Sequence, residues 1–94
     1  MPTNELRFSL GRVVATPGAL RAFEDSGDAS LVLLMRHLQG DWGDLSPEDV
    51  QANEEALKVG ARLLSAYYLS DKTKIWIITE ADRSSTCILL PSEY

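Results

Sequence analysis

The chain has 94 residues, 45% of them hydrophobic, with nine basic side chains against fourteen acidic ones and a formal net charge of -5. That length is one domain, and that apolar share belongs to a chain that folds rather than one that stays disordered. The acidic balance argues against a nonspecific binder of nucleic-acid backbones and against anchoring to an anionic membrane, and the single cysteine, Cys87, excludes an intrachain disulfide or a thiolate zinc cage.

No apolar run is long enough to cross a bilayer, and the first residues, MPTNELR, lack the basic-then-apolar pattern of a signal peptide. The expected location is the cytoplasm. Residues 8–15 (FSLGRVVA) read as a short strand interrupted by Gly11. Thr16-Pro17 opens a first helix, with Thr as N-cap and Pro at the first helical position, where its missing N–H costs nothing. Leu20 and Phe23 are expected on its inner face, and Ser26-Gly27 ends it.

Asp28 or Ser30 is expected to cap a second helix. There Leu31, Leu34, Met35 and Leu38 follow the i, i+3, i+4, i+7 spacing of a core-facing stripe, and Gly40 closes the helix in a left-handed conformation. Ser46-Pro47-Glu48-Asp49 is the strongest local signal: a cap, a first-turn proline, and two acids at the positive end of the helix dipole. This third helix runs to Val59, stops at Gly60, and turns Val50, Ala56 and Leu57 inward. Asn53 shares that inner face, so it must find hydrogen-bond partners; it is expected to pin either the Trp42 loop or the 79–86 turn to the helix.

From Ala61 the period changes. ARLLSAYYL, KIWIIT and STCILL are strand-length runs rich in β-branched, aromatic and aliphatic residues. They are joined by hairpin-sized polar linkers at 70–73 and 80–84. Ile75 and Ile77 are expected on one face of the central strand, Trp76 and Ile78 on the other. Both faces are then apolar, so the strand is covered on both sides or one face is an interface. The element order is β-α-α-α-β-β-β. It defines a single α+β domain over 1–94, with 1–7 flexible and the helices packed on a three- or four-stranded antiparallel sheet.

Two stretches carry most of the chemistry-bearing side chains. HLQGDWGDLSPED holds the only histidine, His37, followed by Asp41, Trp42 and Asp44. His37 near a helix C-terminus interacts with the negative end of the dipole. With Asp41 it also makes a possible general base or a weak metal site. The plainer reading is a helix-to-helix turn plugged by Trp42. From 41 to 55 there are six acids and no Lys or Arg: a solvated helix face, or a surface for a basic partner. The second stretch is TEADRSST at 79–86. Its Glu80, Asp82 and Arg83 form either a polar turn with an internal acid–Arg pair or a clamp for a carboxylate or phosphate. Ser84 and Ser85 lack the G-x-S-x-G elbow of an activated nucleophile. Cys87, within a strand, reads as a small hydrophobe.

VVATPGAL, GDWGDL, LLSAY, KIWIITEADRS and ILLPSEY resemble stretches of a group of small, uncharacterised bacterial proteins that are loosely labelled plasmid-related. The likeness extends from Gly11 to the C-terminus. It implies a bacterial origin and a link to mobile elements, and carries over no activity and no catalytic residue. The functional expectation is a non-catalytic, acidic protein-interaction or regulatory module, without metal or cofactor. It contacts a protein partner through His37, Asp41, Trp42, Asp44, Glu80, Asp82 and Arg83, and the sheet face is available for a homodimer. The alternative is a small nuclease or toxin-like enzyme, with His37 as acid/base and Arg83 on a phosphate.

Overall fold

The computed structural model describes residues 6–94. Its elements are β1 (Arg12–Ala15), α1 (Pro17–Ser26), α2 (Ser30–Leu38), α3 (Pro47–Val59), β2 (Leu63–Tyr68), β3 (Lys74–Thr79) and β4 (Ser85–Leu89), closed by a 3-10 turn at Pro91–Glu93. The α+β class and the element order are as expected. Of the segment 1–7, residues 1–5 lie outside the described residues. Arg7 is tied down, its amide to Leu38 O at 2.9 Å and its guanidinium to Glu54.

The four strands make one sheet in the order β1-β4-β3-β2. β2, β3 and β4 form the antiparallel meander, but β1 joins β4 in parallel, so the sheet is mixed rather than antiparallel. The cause lies at the start of α1. Glu93, just beyond β4, accepts from the Thr16 hydroxyl and from Gly18 N. The end of β1 and the end of β4 are thereby held at the same edge of the sheet, which requires the two strands to run the same way. The strand begins at Arg12 rather than Phe8 because Gly11, at φ +63°, turns the chain against the Ser84 backbone.

Local capping follows the residues. The Thr16 hydroxyl accepts from Ala19 N and that of Ser46 from Asp49 N, while Gly27 and Gly60 end α1 and α3 in the left-handed region. α2 departs from expectation at its start. Its N-cap is Ala29, without a side-chain bond. Asp28 instead accepts from Ser70 N and Oγ in the β2–β3 turn, a tertiary use of a carboxylate that suits a cap.

The inner face of the sheet carries Leu63, Ser65, Tyr67, Ile75, Ile77, Thr79, Thr86 and Ile88, all buried. α1 covers it with Ala19, Ala22 and Phe23, and α2 with Leu33, Leu34, His37 and Leu38. Leu20 (56% exposed), Leu31 (66%) and Met35 (38%) lie outside this core. The buried stripes are rotated from the sequence reading because small Ala side chains let α1 sit close, and because α2 turns His37 toward the sheet. A second cluster joins Trp42, Ala56 and Leu63, with Phe8, Leu45, Val50 and Leu57 packed against it.

The outer edge of β2 is closed without another full strand. Ala66 N donates to Trp42 O (3.0 Å) and Asp44 N to Ala66 O (2.7 Å). One turn of chain further on, Asn53 Nδ2 donates to Leu64 O (2.7 Å), and Leu64 N donates to Asn53 Oδ1 (3.1 Å). Asn53 is thus inward, as its spacing indicated, but it pins β2 rather than the Trp42 loop or the 79–86 turn. Its amide supplies the donor and acceptor that a neighbouring strand would supply, which protects the edge from pairing with other chains.

Candidate functional site

His37 is fully buried. Its Nδ1 lies 2.5 Å from Ser65 Oγ and its Nε2 2.9 Å from Thr79 Oγ1; Thr79 Oγ1 is 2.8 Å from Thr86 Oγ1, which donates to Leu10 O at 2.8 Å. The terminal carbonyl only accepts, and that orders the chain. Thr86 spends its proton on Leu10, so Thr79 donates to Thr86 and His37 Nε2–H donates to Thr79. Nδ1 is then the acceptor of the Ser65 O–H. The ring is neutral, with its proton on Nε2, and all of its polar capacity is used. Burial first, and the charge of Arg83 second, hold the imidazole at a pKa of about 4.

Phe8 and Trp42 close the remaining sides. Both meet the imidazole edge to face, at 5.1 and 5.7 Å between ring centres, and they stack on each other at 6.2 Å. The Trp42 indole N–H donates to Glu54, which also takes both arms of the Arg7 guanidinium; Arg7 and then Trp42 hold the Glu54 carboxyl below its usual range.

Arg83 sits at φ +61° in the β3–β4 turn. Its guanidinium donates to three main-chain carbonyls: Ala61 O (2.6 Å), Glu80 O (3.0 Å) and Ala56 O (3.1 Å). It caps the C-terminal end of α3 and locks the turn to it. The internal acid–Arg pair expected for this turn does not form at Arg83, because Glu80 pairs with Arg62 at 3.3 Å. Arg83 lies over the Phe8 ring, 5.8 Å from its centre, so His37 and Arg83 flank the same phenylalanine. Both ring nitrogens of His37 are taken, and three of the five N–H donors of Arg83 are spent on main-chain carbonyls.

The other expected contact residues scatter. Trp42 is buried. Asp41 is exposed and held by Arg36 at 2.7 Å, which lowers its pKa. Asp44 is exposed, 3.9 Å from Lys74. Asp82 accepts from Ser84 N within its own turn. Glu80 borders a concavity. Among the described residues, no group of three His, Cys, Asp or Glu side chains is placed to hold a metal, and no described helix is long and apolar enough to cross a membrane.

That concavity lies on the sheet face away from the helices, where Trp76 and Ile78 point, as their alternation with Ile75 and Ile77 indicated. Arg62, Leu64, Trp76, Ile78 and Tyr94 line a groove of about 240 Å³. A second of about 240 Å³ adjoins it, bounded by Glu80, Cys87, Leu89 and Glu93. Tyr94 stands edge-on to Trp76 at 5.8 Å and accepts from Arg62 Nη1 at 2.9 Å. Cys87 is partly buried here, and burial raises its thiol pKa, so it lines the groove as an inert apolar side chain. Arg62 and Tyr94 were not singled out from sequence. The signal that pointed here was the second apolar face of KIWIIT.

The fold and these two features define the class: a small α+β domain with a closed polar network inside and an apolar groove on its bare sheet face. Comparison with protein-family models, with curated proteins and with solved structures gives no match to this chain.

Proposed function

We propose that this protein is a non-catalytic, acidic protein-interaction module, acting in the cytoplasm of a bacterium and belonging to a mobile element, as the resemblance in its sequence suggests. The observation that carries the reading is the groove of Leu64, Trp76, Ile78 and Tyr94, an apolar concavity on the sheet face opposite α1 and α2. Its size suits one or two apolar side chains of a partner, and aromatic anchors in pockets are where interface energy concentrates. Arg62, paired with Glu80 at 3.3 Å, stands at the mouth as a polar rim beside the apolar anchor site. In this reading the contact is on the sheet face; what supports it over the His37–Asp44 turn is that His37 and Trp42 are buried and hydrogen-bonded within the fold.

The test is capture of partner by the tagged chain from bacterial lysate, with a parallel measurement of solution mass. The expected result is one stoichiometric protein, lost from Trp76→Ala and from Arg62→Glu while both variants keep the wild-type circular dichroism. A dimer of the chain dissociated by Trp76→Ala would make the second copy the occupant. Capture undiminished in both variants overturns the placement, and co-purification of nucleic acid in place of protein overturns the function.

A further inference from the structure

We propose that residues 6–11 form an acid-released strap, in which protonation of His37 lifts Phe8 off the imidazole and opens the slot between His37, Trp42 and Arg83. Three observations converge on it. His37 is fully enclosed, and its neutral tautomer is written into the hydrogen-bond chain: a proton added at Nδ1 obliges the Ser65 hydroxyl to turn from donor to acceptor and to find another acceptor for its own proton. The enclosure has one thin wall. Ser65 and Thr79 stand on paired strands and the imidazole is carried by α2, whereas Phe8 belongs to a segment without regular structure and is only half-buried. Among the described residues the strap's polar fastenings are Arg7 N to Leu38 O, the Arg7–Glu54 pair, and Leu10 O to Thr86 Oγ1, beside the packing of Phe8 on the Trp42 cluster and of Leu10 on the main core. Gly11, at φ +63°, is the point about which it turns.

The groups around the imidazole set the direction. Arg83, from the β3–β4 turn, opposes its protonation. Glu54, from α3, faces it only through Trp42 and is occupied by Arg7. Phe8, Trp42, Ser65 and Thr79 carry no charge. A cation formed at His37 therefore has no counter-ion in the closed state, and water admitted beneath the strap is its nearest relief. Protons bind the open form more tightly than the closed one, so acid shifts the population toward opening.

Amide hydrogen exchange followed by NMR on the whole chain tests this. With an imidazole at about 4 in the closed form and an ordinary value near 6.5 in the open one, lowering the pH from 7 to 4.5 should reduce protection of the Arg7 amide roughly fifty-fold. Amides of β3 should stay far better protected than Arg7 at both pH values, although global unfolding frees the same imidazole and lowers their protection by a similar factor. Exchange at Arg7 should be insensitive to about 1 M urea, because a strap exposes little surface. His37→Gln should remove this pH dependence. Glu54→Gln should loosen the strap at both pH values and retain it. Exchange at Arg7 with the level and the urea dependence of the β3 amides, or an unchanged pH dependence in His37→Gln, overturns the proposal. If His37→Gln does not fold, titration of the wild-type His37 Cε1 signal decides. A midpoint shared with the Arg7 amide supports the strap, and titration of His37 with the strap still protected overturns it. A partner lost from Trp76→Ala bears on the groove alone, so the two proposals stand or fall separately.

Discussion

At the scale of single residues, His37 makes the most consequential departure from its sequence reading. A histidine one residue from a helix end is usually a surface group that favours its cationic form beside the dipole. Here α2 turns it toward the sheet, where Ser65 and Thr79 take both nitrogens. Its pKa in the folded state is about 4, below the ordinary 6.5. The unfolded chain therefore binds the extra proton more readily. Stability should be full above pH 6.5 and fall as the pH drops from 6.5 to 4, by up to about 3 kcal/mol. Urea unfolding across that range should show the decline, and His37→Gln should flatten it. The carboxylates of exposed Asp41 and half-buried Glu54 also have lowered values. Their stabilisation is present above the ordinary carboxylate range and lost as the pH falls through the folded values, a separate and more acidic decline. Thr86→Val should cost about 1–3 kcal/mol in thermal unfolding, because it leaves Leu10 O without its donor and Thr79 without its acceptor.

At the scale of elements, the outer edge of β2 makes the clearest prediction. Asn53 acts as a one-residue strand, donating to Leu64 O and accepting from Leu64 N. Asn53→Asp keeps the acceptor, loses the donor and buries a charge. It should destabilise more than Asn53→Ala, which costs about 2 kcal/mol, and the order of the two melting temperatures checks this. The glycines of the two turns that flank α3 should behave differently. A Cβ at Gly43 would meet Ala66 O and the Tyr67 ring at a φ of +78°, whereas one at Gly60 would meet nothing. Gly60→Ala should cost about 1 kcal/mol, the strain of the left-handed backbone alone. Gly43→Ala should break the bridge to Ala66 and destabilise well beyond that.

At the scale of the whole molecule, two apolar clusters share one sheet, and the hydroxyl–imidazole chain runs between them. Tyr67, Ile75, Ile77 and Ile88 belong to the cluster beneath α1 and α2; Trp42, Ala56 and Leu63 belong to the one beside α3. Ser65 and Thr79, which hold His37, stand on strands that contribute to both or adjoin both. Unfolding should therefore be a single transition, with tryptophan fluorescence and far-ultraviolet dichroism coincident in urea. In a Trp76→Phe background, which leaves Trp42 as the single tryptophan, an earlier fluorescence transition would show that the Trp42 cluster comes apart alone. The groove stands outside both clusters, so Trp76→Ala should leave this transition nearly in place while abolishing partner capture.

What the sequence determined by itself is local. The Thr16-Pro17 and Ser46-Pro47 starts, the Gly27 and Gly60 stops, the three strands of the meander and the alternation of Ile75 and Ile77 with Trp76 and Ile78 all follow from neighbouring residues. Capping, backbone strain and side-chain period act over a few positions, and a chain read in order displays them. Tertiary structure decided the rest. β1 runs parallel to β4 because Glu93, far along the chain, caps α1. His37 faces inward because Ser65 and Thr79 meet it across the sheet. Arg83 turns from a surface clamp into a helix cap because the end of α3 lies within its reach. In each case a polar side chain had several partners of equal chemical merit, and only the packing of distant elements selected which of them came within hydrogen-bond distance.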